Sequence, residues 1–294
     1  MKKEIQNIRF RTKNNRESHF EIFRYEDLLK IKPKDHSQFQ NHKIFFYALL
    51  LITEGSGKYS INFQDYKFKP RSIFTLGKNT IHKFYRGKAK GSLIIFTEDF
   101  ISHQLSNVEA ADTFMLFNEI IMSPKLQLPE SDYNEILLLF KLIKNEHSNF
   151  LDTHSNLVIR NLLLAIFSKL LRLKLIANPV LSKNKFFTKF LELQKLVEDN
   201  CFTTRLVKFY ADKMNTTPKT LNNITQKIIQ KSAKTFINDT FLILAKRLII
   251  NSSLSLTEIS YQVGFDEPTN FFKFFLKHAG MTPKKFKEKS NSSN

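Results

Sequence analysis

The chain has 294 residues, 42% of them apolar, which is enough for two domains that each bury an ordinary core. Its 46 Lys/Arg against 27 Asp/Glu give a net charge of +19, and that balance favours a polyanionic partner. A single cysteine, Cys201, excludes an internal disulfide and a multi-cysteine zinc site, and fits a reducing cytosol.

The first segment, Met1–Lys13, is basic with no apolar core behind it, so it does not read as a signal peptide. The longest apolar run, Ile44–Ile52, is too short to span a bilayer. The expectation is a cytoplasmic protein with no membrane partner. Five of the seven glycines fall between Gly55 and Gly91, and none falls between Ser92 and Val263. The chain therefore reads as β-rich early and helical later, an α+β protein. Ile44–Ile52 reads as a buried strand and Glu54-Gly55-Ser56-Gly57 as a turn. Tyr59, Ile61 and Phe63 alternate with polar residues, the period of a half-buried strand. Further strands fit Ser72–Leu76, Thr80–Tyr85 and Ser92–Phe96. Short strands at this spacing predict a small antiparallel β-barrel or jelly roll over about 20–100.

Helices are expected over about 110–176. Ile136, Leu137, Phe140 and Ile143 form one stripe, and Leu157–Leu175 is apolar on more than one face. That surplus is expected either to pack within the domain or to meet a second subunit in a homodimer. Residues 1–176 thus read as a regulatory and dimerisation domain, and the polar, Pro-broken stretch 177–186 as a linker.

Residues 187–289 read as an all-α domain with two helix-turn-helix patterns, followed by a tail, 290–294. The domain side 183–294 carries 19 Lys/Arg and 9 Asp/Glu (+10), against 27 and 18 (+9) over 1–182. Thr217-Pro218, Ser255–Glu258, Asp266-Glu267-Pro268 and Thr282-Pro283 are helix-start signals. In the first recognition helix Leu221, Ile224 and Ile228 face the core, while Lys219, Asn222, Asn223 and Gln226 share another face with Thr220 beside them. Asn and Gln can bond adenine through two hydrogen bonds, and Lys can approach guanine. In the second, Phe271, Phe274, Phe275 and His278 form the core stripe. Thr269, Asn270, Phe272 and Lys273 line the other side, with Phe272 suited to a thymine methyl. Lys284, Lys285, Lys287 and Lys289 fit phosphate contacts or a basic tail equally well.

These residues place double-stranded DNA first among the partners. Two alternatives stand beside that reading. One is a sequence-tolerant architectural nucleic-acid binder, which the paired polar stripes disfavour. The other is an enzyme with a DNA-binding tail. No Gly-rich phosphate loop, Gly-x-Ser-x-Gly elbow or His-Glu-x-x-His helix occurs in the sequence, so no catalytic residue, cofactor or metal is expected.

Residues 187–289 resemble the DNA-binding domain of the AraC-type (arabinose-operon regulator) family of bacterial transcription factors. The resemblance is carried by Thr217–Leu221, Ala245–Ile249, Leu256–Val263, Gly264-Phe265, Phe271–Phe275 and Gly280–Pro283. It implies two helix-turn-helix units joined by a long helix, here about Thr235–Ser252, with both recognition helices in adjacent major-groove segments ~34 Å apart. It implies RNA polymerase as a partner if the protein activates. It also implies a cupin-like N-terminal domain, for which Glu54–Gly57 and Asn79–His82 are the weaker marks. His36, His42 and His82 raise the question of a metal there, but no His-x-His pair or well-spaced carboxylate accompanies them. Phe45, Tyr47, Tyr59, Phe63, Phe74 and His82 are the candidate lining of an effector pocket, which could equally be a filled core. This chain departs from the family pattern at Gln230, where Gly is common, at Thr240-Phe241, and at Ile228-Ile229.

Overall fold

The computed structural model describes residues 6–10, 19–30, 37–102, 116–118, 123–149, 153–177, 186–252 and 254–292. Most of the expected linker, together with His36, lies outside them. The chain divides into two compact units, one over Gln6–Ala177 and one holding the helices from Phe187 on.

Among the described residues of the first unit, ten strands form two five-stranded sheets. One sheet has the order β1(Gln6–Ile8), β3(His42–Ile44), β8(Ile81–Phe84), β5(Gly57–Ile61), β6(Gln64–Phe68). The other has the order β10(Lys125–Gln127), β7(Ser72–Leu76), β4(Tyr47–Glu54), β9(Lys90–Phe96), β2(Phe20–Arg24). All pairings are antiparallel except β1 with β3. The sheets face each other as a sandwich and do not close into the expected barrel. The apolar run 44–52 is also two strands, not one, broken at Phe45-Phe46.

Alternation along β4 explains why that run is apolar throughout. Ala48, Leu50 and Ile52 join Ile44, Tyr59, Ile61, Phe74 and Ile95 between the sheets. Leu49 and Leu51 join Ile73, Ile94 and Phe96 on the outer face. There they meet Ile136, Phe140 and Ile143 of α3(Glu130–Asn149) and Ile159, Leu163, Ile166, Phe167 and Leu170 of α4(Thr153–Ala177). A strand covered on both faces has no polar side, so its sequence loses the period of two. Among the described residues this unit also has two short helices, α1(Tyr25–Leu28) and α2(Glu98–Ser102).

The second unit consists of α5(Phe187–Asn200), α6(Val207–Lys213), α7(Pro218–Ile229), α8(Ala233–Asn251), α9(Leu256–Gln262), α10(Pro268–Ala279) and α11(Pro283–Ser292). α8 is its axis, and the other six helices all pack on it. Phe236, Ile237, Phe241, Leu242, Ala245, Ile249 and Ile250 are buried around most of its circumference, along with Thr240. That burial accounts for Thr240 and Phe241 at these positions. α8 starts before the expected Thr235, because Ser232 accepts from Thr235 N and sets the N-cap. α11 continues to Ser292, into the expected tail.

Candidate nucleic-acid interface and internal cavity

α6, a turn and α7 make the first helix-turn-helix. Asn215 takes the left-handed conformation in the turn (φ 48°), which Asn tolerates better than most residues. Thr217 Oγ1 accepts from Thr220 N at 3.1 Å, with Pro218 at the first helical position. Leu221, Ile224, Thr225 and Ile228 are buried, while Lys219, Asn222, Asn223 and Gln226 are exposed on the opposite face. Two expected contact residues have local duties. Thr220 is half-buried, with its Oγ1 3.0 Å from that of Thr217. Asn222 Oδ1 accepts from Ala233 N at 2.8 Å, tying the start of α8 to α7. Gln230 ends α7 in the left-handed region (φ 55°), holding the conformation that glycine takes most readily.

α9 and α10 repeat the plan. Ser255 and Glu258 form the expected capping box. Gly264 (φ +81°) makes the turn, and a Cβ there would overlap the carbonyl oxygen of Phe202. α10 starts at Pro268, but its N-cap is Glu267, with no side-chain cap bond, so Asp266 does not cap as its position suggested. Pro268 takes the first helical position, so the residue directly before it, Glu267, is the N-cap. Phe271 and Phe275 are fully buried, Phe274 is half-buried, and the His278 ring lies 4.3 Å from that of Phe274. Burial, and then Lys277, lower the pKa of His278. Thr269, Asn270 and Lys273 are exposed and Phe272 is half-buried. Sequence reasoning missed Leu276, which is 48% exposed one turn beyond Phe272, and the exposed Lys277.

Pro218 and Pro268, Gln230 and Gly280, and Ser232 and Thr282 are each fifty positions apart. This register would have revealed Leu276 as the counterpart of Gln226. A second missed residue, Arg205, joins the two helix-turn-helix motifs within the helical unit. Its guanidinium lies 4.1 Å from the Phe265 ring, 4.6 Å from Phe241 and 5.4 Å from Phe274. Burial there lowers its pKa. No local spacing predicts a contact that spans the turn, the axial helix and α10. Lys227, Lys277, Lys284 and Lys285 are exposed. Lys287 instead donates to the carbonyl of Leu254 at 3.2 Å, which places its amine in the helical unit and not on a loose tail.

In the sandwich a cavity of about 650 Å³ opens between the sheets. Ile8, Phe23, Leu28, Ile44, Phe46, Ala48, Leu76, Phe84, Leu93 and Ile95 form its walls. Asn7, Arg9, Gln38, His42, Tyr59 and His82 are its polar lining, with Asn7 and Arg9 exposed. His42 and His82 face each other across β3 and β8, rings 5.8 Å apart, and Tyr59 Oη lies 3.1 Å from His82 Nδ1. Burial and the neighbouring His42 push His82 down to about 3, so its ring is neutral. Among the described residues no group of three His, Cys, Asp or Glu side chains is arranged for a metal.

Only two of the six expected pocket residues, Tyr59 and His82, line this cavity. Tyr47 has the parity of Leu49 and Leu51 and packs on the helix side. Phe45 is 37% exposed with Lys43 Nζ 5.0 Å from its ring. Phe63 sits in the β5–β6 turn at φ 67°. Phe74 is buried among core side chains, 5.2 Å from the Tyr59 ring, behind the lining. Aromatic residue type alone does not fix which face of its strand a residue occupies.

Two family models match the chain. One, described as a helix-turn-helix domain, covers residues 210–289, and the other, an AraC-like ligand binding domain, covers residues 31–96. The chain is similar to the Msm operon regulatory protein of Streptococcus mutans, 23% identical over 255 residues, which is 82% of this chain and 84% of that one. Among solved structures, ToxT from Vibrio cholerae is 14% identical with a TM-score of 0.46, over 93% of this chain and 98% of that one. The C-terminal domain of the response regulator yesN from Fusobacterium nucleatum is 20% identical with a TM-score of 0.32, over 34% of this chain and 98% of that domain.

Proposed function

The chain belongs to the AraC-type family of transcription regulators, with an N-terminal ligand-binding domain and a C-terminal helix-turn-helix DNA-binding domain, and from that premise we propose that α7 and α10 read adjacent major-groove segments of one DNA site. The observation that carries this reading is the pair of matched outward faces: Lys219, Asn223 and Gln226 on α7, and Thr269, Phe272 and Lys273 on α10. Asn223 and Gln226 supply hydrogen bonds to base edges, and Asn222 adds its amide N–H donors, since its oxygen is engaged. Lys219 and Lys273 serve bases or phosphates. Thr269 and Asn270, at the start of α10, suit a phosphate or a base edge. Arg205, clasped by three phenylalanines, fixes the two helix-turn-helix motifs at one spacing.

The sandwich cavity is the effector site of this reading. Its apolar walls, with Arg9 at the rim and neutral His82 and Tyr59 within, suit an apolar molecule bearing one anionic or hydrogen-bonding end. Exposed Leu138, Leu142, Leu157, Val158 and Ile176 on α3 and α4 suit a homodimer contact. The protein acts in the cytoplasm, makes contact with RNA polymerase if it activates, and performs no chemical step. Selection from random duplexes with the full chain tests the proposal. A bipartite motif with halves about one helical turn, ~10 bp, apart is expected. Enrichment of no motif at moderate salt would overturn it.

A further inference from the structure

Resting on that reading of the two helices, the fifty-residue register shows that they do not recognise DNA by the same chemistry. Lys219 corresponds to Thr269, Asn222 to Phe272, Asn223 to Lys273 and Gln226 to Leu276. The face of α7 is polar throughout. The face of α10 carries an apolar pair, Phe272 and Leu276, one helical turn apart, with Lys273 and Lys277 alongside. Phe272 is half-buried, its ring 5.9 Å from that of Phe271, which leaves part of it open on this face. The core side of α10 is already supplied by Phe271 and Phe275, both fully buried, and by Phe274. Leu276 is 48% exposed.

The register also explains why the polar residue could be lost here. Asn222 accepts from Ala233 N. The counterpart of Ala233 is Pro283, which has no N–H to satisfy. The position of Phe272 is thereby released from the capping duty of Asn222. A Phe-Leu pair flanked by lysines meets a duplex with its cations toward phosphates and its hydrocarbon toward the groove floor. The apolar group that a base pair presents in the major groove is the C5-methyl of thymine.

We propose that α10 recognises its half-site through thymine methyl groups contacted by Phe272 and Leu276, whereas α7 recognises its half-site through hydrogen bonds to base edges. Asn and Gln contacts to adenine and contacts to the thymine methyl both select A·T pairs, but only the second depends on the methyl.

Replacing thymine by deoxyuracil in the selected duplex removes the methyl and leaves every Watson–Crick and groove hydrogen-bonding group in place. The half read by α10 is identified as the one whose base preference Lys273→Ala relaxes. Deoxyuracil in that half is expected to weaken binding by about three- to ten-fold per contacted thymine, the loss of one buried methyl-sized contact. Deoxyuracil in the other half should change binding less than two-fold. Phe272→Ala and Leu276→Ala should each discriminate deoxyuracil less than wild type, the double variant should bind thymine and deoxyuracil duplexes alike, and thermal melts check that the variants are folded. Because the methyl is deleted from the DNA, the wild-type measurement stands even if a variant is unstable. Sequence-selective binding that is indifferent to deoxyuracil in the α10 half overturns this inference and leaves the functional reading intact. Absence of any sequence-selective binding overturns both.

Discussion

Lys174 offers a quantitative test of the packing between α4 and the sheet. It is 6% exposed, and Nζ donates to Thr75 Oγ1 at 2.9 Å and to the carbonyl of Leu116 at 3.2 Å, neither of which carries a charge. Desolvation lowers its pKa from 10.5 to about 7. A lysine whose folded pKa is depressed is protonated in the unfolded chain and neutral in the folded one between those two values. The unfolded state then binds the extra proton, so stability rises with pH across that window. The full effect is of the order of 5 kcal/mol at ~1.4 kcal/mol per pH unit, and about 2 kcal/mol of it falls between pH 7 and 9. The rise is best measured below pH 9. Above that Tyr25 and Tyr59, buried in the same unit and raised by desolvation, act in the opposite sense. His82 affects only the acid side, where stability is lost as pH falls below 6.5 toward 3. Lys174→Met keeps most of the side-chain volume and removes the amine, while Thr75 Oγ1 still donates to Leu116 O. The assay is thermal or urea denaturation of both proteins at pH 7, 8 and 9. Wild type should gain ~4–8 °C over that interval in the transition of its N-terminal unit, the variant should gain much less, and the variant should match or exceed wild type at pH 7. Parallel curves with equal slopes would refute a neutral buried amine.

Gly264→Ala should destabilise the helical unit by more than ~3 kcal/mol in urea melts, because the left-handed backbone and the Phe202 carbonyl both oppose a Cβ. Gln230→Gly should stabilise it by ~0.5–1 kcal/mol, the relief of left-handed strain less the entropy of glycine. Asn222→Ala should cost ~1 kcal/mol of stability through the lost bond to Ala233 N, whereas Asn223→Ala should leave stability within ~0.5 kcal/mol and relax base preference instead. If the two variants behave alike, the separation of capping from reading on α7 is wrong.

The helical unit was legible in the sequence because its signals are local. Caps such as Thr217-Pro218 and Ser255–Glu258 sit next to the helices they start, and buried Leu221, Ile224 and Ile228 recur at helical spacing. What escaped is what connects distant segments: Arg205 among Phe241, Phe265 and Phe274, and the diversion of Asn222 to the start of α8. In the sandwich the strands at Ser72–Leu76 and Tyr59–Ile61 were visible, but the sidedness of β4 was not. Apolar residues fill both faces there, so composition carries no parity, and Tyr47 was placed with the lining when it belongs beneath the helices. His82 and Tyr59 were found because they lie on strands whose other faces are less uniformly apolar.

The most direct test of two yoked readers is a base-by-base specificity map of the selected motif, measured for wild type, Asn223→Ala and Lys273→Ala. The account predicts that Asn223→Ala relaxes preference by ~1–3 kcal/mol at one or two positions in one half only, and that Lys273→Ala acts only in the other half, about one helical turn away. Loss of affinity spread evenly over all positions for both variants would contradict it.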